Sequence, residues 1–309
     1  MSRRQRHQMA PTMATHFPSL SAGTDMNPNA RMFTEDVHLA VMPIGGRTER
    51  NKNFAVALEG SPDVCERARA LLGELSKFDR HDLARVVCDA VSEIARHLAW
   101  EGCAVYEIIS DESNITHVRG FTSRRLVRFS RWYLQIIPRG DWELWERKLV
   151  VISASKIWHL EMPTVLGGHK DYKTALEKLR KFENLGPPFW RKDLDRGEQS
   201  KNFDFQRYAD NSEIYYRQAT KVWGWNRRDW SQDRSTEFYS FYKMVNFRWA
   251  QAVLREHIIS EINILFLRLG MDCILKVSGL PTSDEIVKVR EELLSGSISF
   301  SQAADRVAI

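Results

Sequence analysis

The spacing of apolar residues changes twice along this chain. After Ser61-Pro62-Asp63, which reads as an N-cap, a proline at the first helical position and an acid in the first turn, Val64, Ala68, Leu71, Leu72 and Leu75 recur on one helical face. Leu83, Val86, Val87, Ala90, Val91, Ile94 and Leu98 draw a second stripe, opened by His81-Asp82 and stopped by Gly102. The period then shortens to that of strands. Residues 103–109 and 115–121, separated by a polar stretch, read as a β-hairpin. Further strands are expected at 126–137, 149–152 and 156–162, the last bounded by Pro163.

Beyond Gly167-Gly168 the helical spacing returns with Tyr172, Ala175, Leu176, Leu179 and Phe182, until Pro187-Pro188 breaks it. Residues 185–234 are irregular, charged and aromatic, with a short helix expected around 205–216. From Ser235 a long helix runs to about Leu269, its face marked by Phe238, Phe241, Tyr242, Val245, Trp249, Ala252, Ile262 and Phe266. At 1.5 Å per residue it is roughly 50 Å long, which implies a kink or a scaffold role. Gly270 ends it, 271–277 reads as a strand, Thr282 to Glu285 form a capping box for a helix reaching about Leu294, and Ser299 caps a last short helix. Ahead of these elements, residues 1–30 have no period and read as a disordered basic arm, and the apolar run 37–44 reads as a short strand or extended arm.

The fold class is therefore α+β: a helical N-terminal pair, an antiparallel β-rich middle, a long helix and a small C-terminal α/β segment. The domain reading follows the same breaks, with an arm at 1–30, an α+β core at 31–184, an aromatic and arginine-rich segment at 185–234, and the long helix with its strand–helix ending at 235–309.

Composition narrows the function classes. With 43% hydrophobic and 28% charged residues, the 309-residue chain has the apolar content for a sizeable core in one or two domains. Its 10 tryptophans are many, and tryptophan is favoured where one end of the ring is dry and the other wet, as at interfaces. A net charge of +5 permits a polyanionic partner without demanding one. Cys65 and Cys88 lie in helical patterns, Cys103 and Cys273 in strand-like runs, and none forms a CxxC pair; this fits small buried hydrophobes in a reducing compartment and no zinc site. No apolar run approaches the ~20 residues of a membrane span, so the expectation is a cytoplasmic protein with no membrane partner.

Phosphate-loop, dinucleotide, zinc-protease and nucleophile-elbow signatures are all missing. The best catalytic candidate is Glu146-Arg147-Lys148 with Asp111 or Asp141. A carboxylate two positions before a lysine puts both on one strand face, where they could hold a metal and a water near a phosphate, as in a metal-dependent nuclease. A charged outer strand face is the alternative reading. His159 with Glu161, and His169 with Asp171, read as metal ligands or as polar residues at strand and helix ends. No cofactor and no bound metal are called for. Between Glu112 and Asp141 there is no acid, while Arg119, Arg124, Arg125, Arg128, Arg131 and Arg139 lie among Phe121, Phe129, Trp132 and Tyr133. Arginine beside aromatics on strands can hold a phosphate backbone and stack bases, or pair with a neighbouring subunit. Trp190, Trp223, Trp225 and Trp230 are candidate interface residues.

The apolar helix leading into Trp100-Glu101-Gly102-Cys103-Ala104-Val105-Tyr106-Glu107-Ile108 resembles a passage of bacteriophage portal proteins. Lys156-Ile157-Trp158-His159 resembles the motif that follows their β-rich segment, and 163–168 the turn after it. The strand at 274–279, the helix at 284–294 and Gly296-Ser297-Ile298-Ser299 are similar to the portal ending. The chain is short for that family, and 185–234 does not match its stem and clip. The resemblance implies a homo-oligomeric ring at a capsid vertex through which DNA passes, capsid and packaging-motor proteins as partners, and no catalytic residues. The tryptophan- and arginine-rich segments would then be subunit contacts or tunnel lining, and the long helix a strut in a virion component.

Overall fold

The computed structural model describes residues 28–43, 53–76, 82–110, 116–137, 139, 142, 148–185, 214–226 and 236–308. In chain order the elements are α1 Pro28–His38, β1 Ala55–Gly60, α2 Pro62–Ser76, α3 Leu83–Glu101, β2 Cys103–Ser110, β3 Thr116–Phe121, β4 Leu126–Phe129, β5 Trp132–Ile136, β6 Leu149–Ser153, β7 Ile157–Glu161, α4 Gly168–Leu185, α5 Glu237–Arg268, β8 Cys273–Ser278, α6 Ser283–Ser295 and α7 Phe300–Arg306. This is a mixed α+β fold, and among the described residues the strands pair antiparallel in three small sheets. No helix among the described residues is long and apolar enough to cross a membrane.

Two compact units share the chain. Among the described residues the first takes 41–161 and 257–280, and the second 28–40, 162–256 and 281–308. The α5 helix contributes to both, changing unit after Glu256.

The first unit is built on the α2–α3 pair. Asp82 caps α3 by accepting the Ala84 N–H at 3.2 Å, and Gly102 ends it in the left-handed conformation, donating its N–H to the Leu98 carbonyl. The stripe from Val86 to Leu98 is buried. On α2, Glu74 reaches β3, where its carboxylate accepts the Val118 N–H at 3.0 Å and binds the His117 ring. In the β3-β2-β7 sheet, β2 is central and Tyr106 stands opposite both Gly120 and Trp158. A second sheet, β4-β5-β6, packs one face on the first through Cys103, Val105, Phe121, Tyr133, Ile137, Ile152 and Ile157. The β1-β8 ribbon completes the unit, and the Asn263 side chain pairs in both directions with the Leu275 backbone. Arg268 donates to the carbonyls of Ile157 and Ala154 at 2.8 and 2.9 Å.

In the second unit Ala30, Phe33 and Val37 form a fully buried helical stripe on α1. Phe33 packs against the rings of Tyr172, Trp223 and Trp225. Long-range hydrogen bonds fix the helix, among them Asn29 to the Tyr216 hydroxyl at 2.8 Å and Gln251 to the Asp36 carbonyl at 2.9 Å. The first part of α5 packs on α6 and α7 through Val245, Ala252, Ile286, Val289, Leu293, Ala303 and Val307. The capping box expected at Thr282 forms with Glu285, and Ser299, the expected cap of the last helix, makes a second box with Gln302.

Three expectations change. The run 37–44 is not a strand: Val37 belongs to α1, because its spacing from Phe33 buries both on one helical face. The arm expected at 1–30 gives way to α1 at Pro28; residues 1–27 lie outside the described residues. The single strand expected at 126–137 is a hairpin, β4 and β5, turned at Ser130 with φ of 53°.

Candidate association surface

Register assigns the faces of the β4-β5-β6 sheet. Val127 stands opposite Leu134, Phe129 opposite Trp132, Leu134 opposite Val151 and Ile136 opposite Leu149. Side chains alternate along a strand, so these residues share one face and Tyr133, Gln135 and Ile152 share the other. The second face is buried in the core. The first is open to solvent: Phe129 is 68% exposed, Val151 54% and Trp132 49%, with Val127, Ile136 and Leu149 also exposed. Single exposed apolar residues are ordinary; here six stand side by side on one sheet face, which makes that face a candidate contact surface. With strands ~4.8 Å apart and ~3.3 Å per residue, the face measures roughly 14 by 16 Å.

The arginines of the acid-free run do not share that face. Arg119 lies on β3, in the other sheet, in register with Glu107. Arg124 and Arg125 precede β4 at one end of the hairpin, and Arg131 sits in the turn at the other. Arg128 alternates to the core side, its guanidinium 5.9 Å from the Tyr133 ring centroid. The result is an apolar centre with cations at its ends, the anatomy of a protein interface with a polar rim.

The catalytic candidates are not brought together by the described residues. Asp111, Asp141 and Glu146 lie outside them; Lys148 is exposed just before β6, its ammonium 4.8 Å from the Trp142 ring centroid. His159 shares a hydrogen bond with the Tyr133 hydroxyl at 3.1 Å. Glu161 ends β7, while His169 and Asp171 open α4 in the other unit. No group of three or more His, Cys, Asp or Glu residues able to hold a metal occurs among the described residues.

Of the tryptophans expected at an interface, Trp223 and Trp225 are 2% and 4% exposed and sit in the core around Phe33, so they offer no face to a partner. The Trp225 indole N–H donates to Asp36 at 2.8 Å, which satisfies its one polar atom inside the unit. Trp190 and Trp230 lie outside the described residues.

The sequence reading missed Val127, Ile136, Leu149 and Val151. A signal was present: Trp132, Leu134 and Ile136 on one strand and Leu149 and Val151 on the next are all apolar on the face that is open, where a strand with one solvated face carries polar residues. Such a strand is covered twice, either by its own chain or by another. No protein family model matches this chain, and the curated proteins yielded no match to it.

Proposed function

We propose that this protein is a portal-like assembly protein of a phage or prophage particle, whose copies associate into a ring for DNA passage. The observation that carries the reading is the uncovered apolar face of β4-β5-β6, which in a ring is covered by a neighbouring copy. Burial of apolar surface contributes about 25 cal/mol per Å², so a face of this kind favours association rather than solvation. It is smaller than the ~800 Å² per partner of a standard interface, so the contact between copies extends beyond the sheet. Capsid and packaging-motor proteins are the further partners of this reading, and the protein does no chemistry. Further support comes from position: two of the passages that resemble portal proteins lie on paired strands, Tyr106 of one opposite Trp158 of the other.

The test is the mass of the purified protein in solution, with and without DNA. A discrete multiple of the 36.0 kDa subunit that collapses to one subunit in Phe129→Asp/Trp132→Asp supports the reading. A monomer at micromolar concentration overturns it.

A second reading, a nucleic-acid-binding module, draws on the acid-free run from Arg119 to Arg131. Base stacking needs aromatic platforms, and here four of the six exposed residues are aliphatic: Val127, Ile136, Leu149 and Val151. Binding to DNA that weakens steeply with salt and is lost in Arg125→Ala/Arg131→Ala favours this second reading.

A further inference from the structure

Two thiols meet where α2 begins. Cys65 stands in the first turns of α2, its backbone N–H bonded to the Ser61 carbonyl at 2.9 Å. Cys273 opens β8, in register with Gly60 at the end of β1. The two are 208 residues apart in sequence, yet their sulfurs lie 3.8 Å apart. Gly60 lets β1 lie close against the start of β8, since a Cβ there would stand 2.6 Å from the Asp272 carbonyl oxygen. The Cys65 thiol also points at the Leu58 carbonyl, 3.5 Å away, so it is held facing the ribbon. Cys65 is half-buried and Cys273 buried.

We propose that Cys65 and Cys273 are a modification site that forms a reversible intramolecular disulfide with a small disulfide oxidant. The Cys65 thiolate attacks one sulfur of the oxidant, forming a mixed disulfide and expelling one thiolate. The Cys273 thiolate then attacks the Cys65 sulfur and expels the second. Two protein thiols are oxidised to one disulfide, and the oxidant is reduced to two thiols that take up the two protons released. The sulfurs close from 3.8 Å to about 2.05 Å. The bond ties α2 to β8.

The order of events follows from exposure, because the half-buried Cys65 is the thiol an oxidant reaches. In the reduced pair, burial and the neighbouring Cys65 thiol push the Cys273 thiol up to about 11, so the resting Cys273 thiolate is scarce and grows with pH. Cys88 does not compete, as burial pushes its thiol up to about 12.

The experiment incubates the full chain with oxidised glutathione at pH 8, then alkylates free thiols and maps peptides by mass spectrometry. Expected are a Cys65–Cys273 cross-linked peptide, its reversal by dithiothreitol, and a Tm raised by about 5 °C or more in the oxidised protein only. Cys65→Ser, whose reduced form keeps the parent Tm, forms no cross-link. Cys273→Ser stops at one glutathione on Cys65. A wild-type protein that likewise stops at glutathionylated Cys65, or leaves both thiols free after prolonged incubation, overturns the proposal.

Discussion

The Glu101 carboxylate accepts the backbone N–H of Ser123 at 2.5 Å, joining the last residue of α3 to the chain that leaves β3. Its other oxygen accepts the Thr122 hydroxyl at 3.1 Å, and that hydroxyl accepts the Arg124 N–H. Glu101 is buried, so the turn into β4 is held by a charged acceptor with little water around it. Hydrogen bonds to a charged group contribute about 1.5–3 kcal/mol, and leaving the donors unmatched adds a desolvation cost. Glu101→Ala is expected to lose about 2–3 kcal/mol in urea unfolding, and Glu101→Gln, which keeps one acceptor oxygen, less. A Glu101→Gln variant as stable as the parent would mean that the carboxylate's charge does not matter at this turn.

Association through β4-β5-β6 makes centre and rim respond differently. Val151 lies midway along β6 on the apolar face, opposite the central Leu134, and Arg131 in the turn at the end of the β4–β5 hairpin. Val151→Lys puts an ammonium where a partner's apolar surface is expected, and should leave a folded protein of subunit mass. Arg131→Ala should keep the assembled mass while flattening the salt dependence of the assembly rate, since rim charges act mainly on encounter. Light scattering across a salt series reads both. Assembly that survives Val151→Lys argues against this sheet as the contact.

Local signals were the legible part of the fold. The Asp82 cap, the left-handed Gly102, the Thr282 box, the Ser299 cap and the β2–β3 hairpin each depend on residues within a few positions of one another. What stayed hidden depends on distant partners. Phe33 is held on a buried helical face by Tyr172, Trp223 and Trp225, and nothing near α1 in sequence announces that. The Ser130 turn was unreadable for a different reason: a residue with positive φ there is usually Gly or Asn, and Phe129-Ser130-Arg131 contains neither. The arginines of the candidate site were visible as a run. Their division between two sheets was not, because it depends on which strands pair. The exposed face was the least legible, since an apolar strand looks the same covered or open.

Gly279 is the residue that lets the chain leave β8. Its φ is 78°, and a Cβ there would stand 1.9 Å from the Asn53 carbonyl oxygen. Left-handed backbone costs a residue with a side chain about 1 kcal/mol or more, and here the obstruction is backbone that cannot rotate aside. Gly279→Ala is expected to destabilise by about 2–3 kcal/mol and to speed hydrogen exchange in the β1-β8 ribbon. Gly296, with φ of 73° and open space around its would-be Cβ, is the control: Gly296→Ala bears the conformational cost alone, about 1 kcal/mol. Two variants of equal stability would remove the steric argument at Gly279.

The capping box of α6 ties stability to acidity. The Glu285 carboxylate accepts the Thr282 N–H at 2.8 Å, and the Thr282 hydroxyl accepts the Glu285 N–H at 3.2 Å. The hydrogen bonds from Thr282 hold the Glu285 carboxyl below its ordinary value of 4.5, against a small opposing effect of burial. A folded-state pKa that is depressed stabilises the fold above the unfolded value, and the contribution is lost as pH falls through the folded one. Glu285→Ala should therefore cost about 0.5–1 kcal/mol at pH 7, and the gap to the parent should close in solutions well below pH 4.5. Loss of the box frees the start of a helix whose Ile286, Val289 and Leu293 pack on α5, so hydrogen exchange should rise first at Ser283 to Ile286. A Glu285→Ala penalty that stays constant from pH 7 into acid would show that the side chain contributes through packing and helix propensity, with its charge irrelevant.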